Sequence, residues 1–244
     1  MYKESLHDLI YNLARDVLVE KYGFPEQIKN LNFIPDFAIR GLHFDIEHGL
    51  LMKLDSFHQI QLGSVFHGLT PVPDEKVLAI YDGPYIPKTK IRGSSDVLQM
   101  KQANDLFSVP EICLLSQVSE FFEQNNISYH PEMLFFDIQS AVSSIHPVIH
   151  AQLNDETIGQ YLEKHDSLNI FMDKLKAGGK STFLITNSPF KFVDTGMKYM
   201  MGPDWVTKFD VIVAQARKPT FFTQRGKCKP FRRLDPKTGK NFLS

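Results

Sequence analysis

The chain is poor in cysteine: Cys113 and Cys228 are the two in 244 residues. Two are too few for a disulfide framework, and they fit a reducing compartment. No apolar run reaches the ~18 residues of a transmembrane helix. The opening stretch MYKESLHDLIYNLARD is mixed in charge and amphipathic, so it reads as a helix rather than a secretory signal. An excess of one charge is also missing. Lys+Arg total 27 against 28 Asp+Glu, for a formal net charge of −1. That balance gives no global argument for binding nucleic acid or a membrane. Internal repeats and low-complexity segments are absent as well.

What remains is an ordinary globular composition, 43% hydrophobic and 23% charged, with length for one or two domains. Charge is unevenly placed. Between Arg217 and Lys240 there are nine Lys/Arg and one acid, Asp235, a local charge of +8 that leaves −9 elsewhere. A solvated basic tail explains this; phosphate or acidic partners are the sharper alternative.

Periodicity suggests a helix over 3–21, with Leu6, Ile10, Leu13 and Val17 on one face and Gly23 closing it. Residues 36–73 mix short apolar runs with Gly49 and Gly63, as short strands and turns do. Two Pro and two Gly make 82–95 a loop. Ser108 and Glu111 have capping-box spacing ahead of a helix carrying Ile112, Leu115 and Phe122. Further helices are expected over 131–146 and 155–177, the latter stopped by Gly178-Gly179. A strand (182–185), a helix (189–201) and a strand (209–216) follow. They form a parallel β-α-β unit, which makes the C-terminal third α/β and the rest mostly helical.

Three stretches bear on chemistry. AGGKST (177–182) imitates a P-loop, but position 174 is Lys and the order is helix then strand, so it reads as a helix stop. In FLITNSPFKFVDTGM, Thr186 sits at the carboxyl end of a strand, where open α/β sheets bind ligands. Pro189 suits a helix start, with Ser188 or Asn187 as the N-cap. Plain capping and anion binding are both open readings of that junction. Lys218, just after the second parallel strand, lies at the same sheet edge. It is either an exposed loop lysine or a phosphate partner. Finally, Arg40, Asp45 and Lys53 are charges set in apolar sequence, which calls for an ion pair or a ligand. His43, His48, His58 and His67 have no metal-motif spacing.

Together FAIRGLHFDIEHGLLMKLD, LGSVFHGLTPVPDEKV, VPEICLL, the 183–222 stretch ending in QARKPTFF, and KPFRRLD resemble the cytosolic purine 5′-nucleotidase family of haloacid-dehalogenase-like hydrolases, in particular its 5′-nucleotidase domain-containing members. The resemblance covers nearly the whole chain. It implies an α/β fold with a partial Rossmannoid core over 154–244 ending in the basic tail, and a largely helical cap and substrate-side region over 1–153. It implies Mg²⁺-dependent hydrolysis of nucleoside 5′-monophosphates through an aspartyl-phosphate. On this chain Thr186, with Asn187 beside it, would hold a phosphate oxygen, Lys218 would steady the phosphate, and Arg40, Asp45, Lys53 and Ser188 would surround the nucleotide.

The sequence departs from that pattern at its centre. It contains no D-x-D, so the attacking aspartate is expected upstream of Met1 and the Mg²⁺ aspartates downstream of Ser244. The expectation is therefore a partial family member: a piece of a phosphohydrolase, or an inactive copy that acts as an interaction partner. A homo-oligomer is compatible with the unpaired edge this would leave on strand 183–185. Nucleic acid and membrane are not expected partners. The resemblance points to the cytoplasm, with mitochondrial members also known.

Overall fold

The computed structural model describes residues 2–92, 99–223, 231–235 and 241–243. It is mixed α/β and divides into two units, Glu4–Ile149 and Met1–Lys3 with His150–Ser244. Much of the basic tail, and Cys228, fall outside the described residues.

In the first unit, five short strands form an antiparallel sheet: β1 (His43–Asp45), β2 (Leu50–Met52), β3 (Phe66–His67), β4 (Thr70–Pro71) and β5 (Met100–Gln102), in the order β4-β3-β2-β1-β5. Asp45 pairs with Leu50 on one side and Met100 on the other. Alternation then sends the side chains of β1 to opposite faces. Phe44 stacks on Phe135 of helix α5 (Pro131–Ser144), with ring centroids 6.0 Å apart. Leu50, Met52 and Met100 join Leu54, Ile60, Val65, Val72, Val77 and Ile86 in a separate core. At the β3–β4 turn, Gly68 has φ 59°, and a Cβ there would lie 2.6 Å from the Glu120 carboxylate. That carboxylate accepts the next amide, of Leu69, at 3.0 Å.

Helices α1 (Ser5–Tyr22), α4 (Ser108–Gln124) and α5 pack on one another. Gly23 closes α1 in the left-handed region, as its position suggests. The buried stripe is Leu6, Ile10, Ala14 and Leu18 with Tyr11 and Val19, whereas Leu13 and Val17 are half-buried. The i, i+4 row through small Ala14 is the one turned toward two packed helices. Ser108 is not a helix cap. Asp105 Oδ1 accepts the amides of Phe107 and Ser108 at 2.9 Å, and Ser108 lies buried inside the helix. Within the expected loop at 82–95, Lys88–Arg92 forms a short helix, α3, preceded by α2 (Asp74–Tyr81).

The second unit starts from α6 (His146–Gln152), which crosses the division, and α7 (Ile158–Tyr161). The expected helix over 155–177 is broken: Leu162 turns extended, with ψ 137°, and bridges Tyr2 before α8 (Ser167–Ala177) begins. Then come β6 (Phe183–Ile185), α9 (Phe190–Met201), a 3₁₀ turn (Trp205–Lys208) and β7 (Val211–Val213). Strands β6 and β7 pair in parallel, Phe183 with Val211 and Ile185 with Val213. Leu184 and Ile212 point into a core of Met172, Met201 and fully buried Trp205, while Phe183 and Val211 are exposed. Among the described residues β6 pairs with β7 alone. Short α10 (Thr220–Thr223) and the antiparallel pair β8 (Arg232–Leu234) and β9 (Asn241–Leu243) complete the unit. Among the described residues, no helix is long and apolar enough to cross a membrane.

Candidate functional site

The turns that follow β6 and β7 are tied to each other. Thr186 N–H donates to Val213 carbonyl at 2.9 Å, Ala216 N–H to Thr186 carbonyl at 2.9 Å, and Gln215 N–H to Ser188 carbonyl at 3.1 Å. Gln215 and Arg217 take positive φ, 51° and 59°, so the chain after β7 doubles back over the turn after β6. Asn187 completes the clamp: its amide donates to Lys218 carbonyl at 3.1 Å and its Oδ1 accepts Lys218 N–H at 2.6 Å. Lys218 Nζ then reaches Ile185 carbonyl, 2.8 Å away at the end of β6. Parallel pairing is what brings Thr186 and Lys218 to one edge, since both strands end on the same side.

Neither Ser188 nor Asn187 is the N-cap of α9. Pro189 holds that position, with extended ψ of 146°, and no side chain caps the helix. Asn187 is turned to the Lys218 backbone, and Ser188 N–H donates to Thr186 Oγ1 at 3.1 Å. Several donors are left over at this edge. Thr186 Oγ1 accepts that amide and keeps its own proton for another acceptor. The Ser188 hydroxyl makes no hydrogen bond among the described residues. An ammonium has three N–H donors, and Lys218 spends one on Ile185. With the uncapped start of α9, this edge carries a set of donors suited to an anion.

Arg40, Asp45 and Lys53 belong to the first unit and do not form one group. Arg40 is exposed. Lys53 lines a cleft beside β1 and has no ion-pair partner among the described residues. Asp45 is fully buried with both oxygens engaged. Oδ1 accepts the amides of Glu47 and His48 at 3.1 and 3.3 Å, and Oδ2 accepts Tyr81 hydroxyl at 2.6 Å and meets His48 Nδ1 at 3.1 Å. Lys90 Nζ lies 3.3 Å from it, and equally close to Glu47. Burial, and then the Asp45 charge and hydrogen bond, push the Tyr81 phenol far above its usual range. Tyr81, Lys90 and His48 were missed as Asp45 partners. The local spacing Asp45…His48 was visible in the sequence, while Tyr81 and Lys90 arrive through chain folding.

Asp45, Glu47 and His48 offer ligand atoms within 4.8 Å of one another. Lys90 already neutralises the two carboxylates, and imidazole is a poor ligand for a hard, oxygen-seeking Mg²⁺. Around the β6–β7 edge the described residues bring no carboxylates together. The described residues therefore do not fit a Mg²⁺ site.

The profile described as "5' nucleotidase family" matches residues 1–244. The chain is similar to 5'-nucleotidase domain-containing protein 2 of Homo sapiens, 44% identical over 97% of this chain and 46% of the relative. Its counterpart in Rattus norvegicus is 44% identical, over 97% of this chain and 43% of the relative. A 5'-nucleotidase domain-containing protein of Dictyostelium discoideum is 36% identical over 96% and 40%. The chain spans less than half the length of these relatives.

Proposed function

This chain belongs to the 5' nucleotidase family, and we propose that it carries the phosphate-holding and substrate-side portion of a haloacid-dehalogenase-type phosphohydrolase acting on nucleoside 5′-monophosphates. The observation that carries this reading is the set of donors at the β6–β7 edge. Thr186, Ser188 and Lys218 lie at the same strand-end edge with donors unspent, and Asn187 ties that edge together by bonding the Lys218 backbone. Positive charge and hydrogen-bond donors so placed stabilise phosphoryl oxygens in ground and transition states. Arg40, Asp45 and Lys53 are assigned to the substrate side within the first unit, where Arg40 and Lys53 have no ion-pair partner among the described residues and Asp45 is held by Lys90 and Tyr81.

In this reading Lys218 orients the phosphate and spreads its charge. Thr186 and Ser188 fix two of its oxygens. The attacking carboxylate is not among these residues, because the sequence contains no D-x-D. Mg²⁺, which the family reading implies, would be held by carboxylates other than those described and would neutralise charge on the phosphoryl oxygens. The missing D-x-D also favours a second reading, an interaction protein that binds phosphate without turnover. The two cysteines suit a cytoplasmic setting and equally a mitochondrial one, and the reading includes a homo-oligomer as partner.

The test is phosphate release from several nucleoside monophosphates by the purified chain, with and without Mg²⁺. The expected result is binding that Lys218→Ala weakens, with no turnover by these residues alone. Turnover abolished by Lys218→Ala would overturn the non-catalytic reading. Binding indifferent to Lys218→Ala would overturn the phosphate-holding role.

A further inference from the structure

The excess of base between Arg217 and Lys240 is used by the phosphate-holding edge only at Lys218. Farther along the same stretch, α10 and β8 of the second unit carry an exposed cluster of aromatic and basic side chains. Phe221 lies at its centre. The Phe221 ring centroid is 4.9 Å from that of Phe222, at 89°, and 6.2 Å from that of Phe231, at 76°. Both outer rings stand edge-to-face with Phe221, so neither is stacked flat against it. Phe222 is 67% exposed and Phe231 64%. Rings left this open forgo most of the gain that burial gives a core phenylalanine.

The contact of Phe221 with Phe231 ties the start of β8 to α10. Phe231 immediately precedes β8, and alternation of an extended chain puts it on the same face as Arg233, with Arg232 on the other. Both arginines are exposed. Neither has an ion pair among the described residues. In the sequence Arg225, Lys227 and Lys229 stand between Phe222 and Phe231, and the one acid of the stretch is Asp235. Arginine and lysine are rarely buried without partners, so a surface of this charge does not suit burial against an ordinary protein face.

We propose that α10 and β8 form a docking surface for single-stranded nucleic acid, with bases stacked on Phe222 and Phe231 and phosphates against Arg232 and Arg233. Such a strand offers a charged phosphate at every nucleotide and an unpaired base whose flat face stacks on an aromatic ring or a guanidinium. A duplex keeps its bases stacked inside. A lipid surface takes up a contiguous apolar face, whereas the neighbours of these rings, Thr220, Thr223, Arg232 and Arg233, are polar. The whole-chain charge of −1 supplies no attraction for a polyanion. Salt confines each charge to about 10 Å, so the local +8 governs the contact. The surface is built without the side chains of Thr186, Ser188 and Lys218 and stands whether or not those hold phosphate.

Fluorescence anisotropy of labelled oligothymidylate of ~12 nucleotides, titrated with the whole chain at several salt concentrations, provides the test. Parallel arms use an abasic strand of the same length, a duplex, and phosphatidylserine vesicles. Saturable binding of the single strand is expected, with the abasic strand weaker by at least about fivefold. Phe222→Ala/Phe231→Ala should bring oligothymidylate down to the abasic level. Phe222→Leu/Phe231→Leu, which keeps apolar bulk and loses the ring faces, should do the same without opening the fold. Arg232→Gln/Arg233→Gln should flatten the plot of log affinity against log salt by about 1.4, the share of two phosphates. The same variant should leave binding of inorganic phosphate at the β6–β7 edge unchanged. Equal affinity for the abasic strand, or affinity indifferent to both phenylalanine variants, would overturn the stacking. Tighter binding to the duplex or the vesicles would overturn the partner. An absence of binding at low salt would overturn the surface.

Discussion

Asn187 and Lys218 hold each other twice, the asparagine side chain giving one hydrogen bond to the lysine backbone carbonyl and taking one from its N–H. A side chain thereby does what a further strand pair would do. It joins the ends of β6 and β7 and aims the lysine at the Ile185 carbonyl. Asparagine is suited to this because its short planar amide carries a donor and an acceptor side by side.

Replacing Asn187 by Ala removes both bonds from an exposed position. The expected cost is about 1–2 kcal/mol in denaturant unfolding, together with weaker phosphate binding because Lys218 loses its register. Asn187→Asp keeps the acceptor, loses the donor and adds negative charge to that edge. It should bind phosphate less well than Asn187→Ala while being no less stable.

How much of this was legible in the sequence differs by residue. The parallel strands and the shared edge of Thr186 and Lys218 followed from apolar runs and the order strand, helix, strand. The role of Asn187 did not, because its partner is the backbone of a residue 31 positions away, and backbone partners leave no residue-type signal. The same holds for Ser108, where Asp105 performs the capping that a correct-looking Ser-x-x-Glu spacing suggested. Glu111 was instead drawn to Lys101 of β5, 3.4 Å away, a contact only the fold creates. Helix 155–177 read as continuous because nothing in its composition marks the extended Leu162, which bridges to Tyr2.

Asp45 is a buried charge compensated from three directions. Asp45→Ala leaves Lys90 with only the exposed Glu47 and orphans the Tyr81 hydroxyl, and should cost about 3–5 kcal/mol. Tyr81→Phe, which removes one charge-assisted bond, should cost about 1.5–3 kcal/mol. Thermal and denaturant unfolding check both. If the two variants cost the same, the lysine does not contribute.

Trp205 is fully buried, and its indole N–H donates to Asp194 at 2.9 Å, linking α9 to the 3₁₀ turn before β7. Asp194 also meets Lys198 at 2.6 Å. Asp194→Ala strands the indole N–H in a dry core and should cost about 1–3 kcal/mol. Asp194→Asn, which keeps an acceptor, should recover most of it.

Two histidines of the first unit give stability a pH dependence. Burial lowers the pKa of His43 and of His7, with Arg40 adding to the effect at His7. Each binds its proton more weakly when folded than when unfolded, so the unfolded chain takes up protons first as pH falls. Their contribution is fully present above the ordinary histidine value of 6.5 and is lost as pH drops through and below it. Denaturant midpoints measured downward from neutral pH should fall, and a His7→Gln/His43→Gln double variant should fall less steeply over the same window.

The most direct measurement of the central claim is a backbone-amide NMR titration of the chain with inorganic phosphate. The account predicts saturable shifts at Ser188 and the first-turn amides Phe190 and Lys191, and their loss in Lys218→Met. Shifts absent from these amides, or unchanged by Lys218→Met, would contradict it.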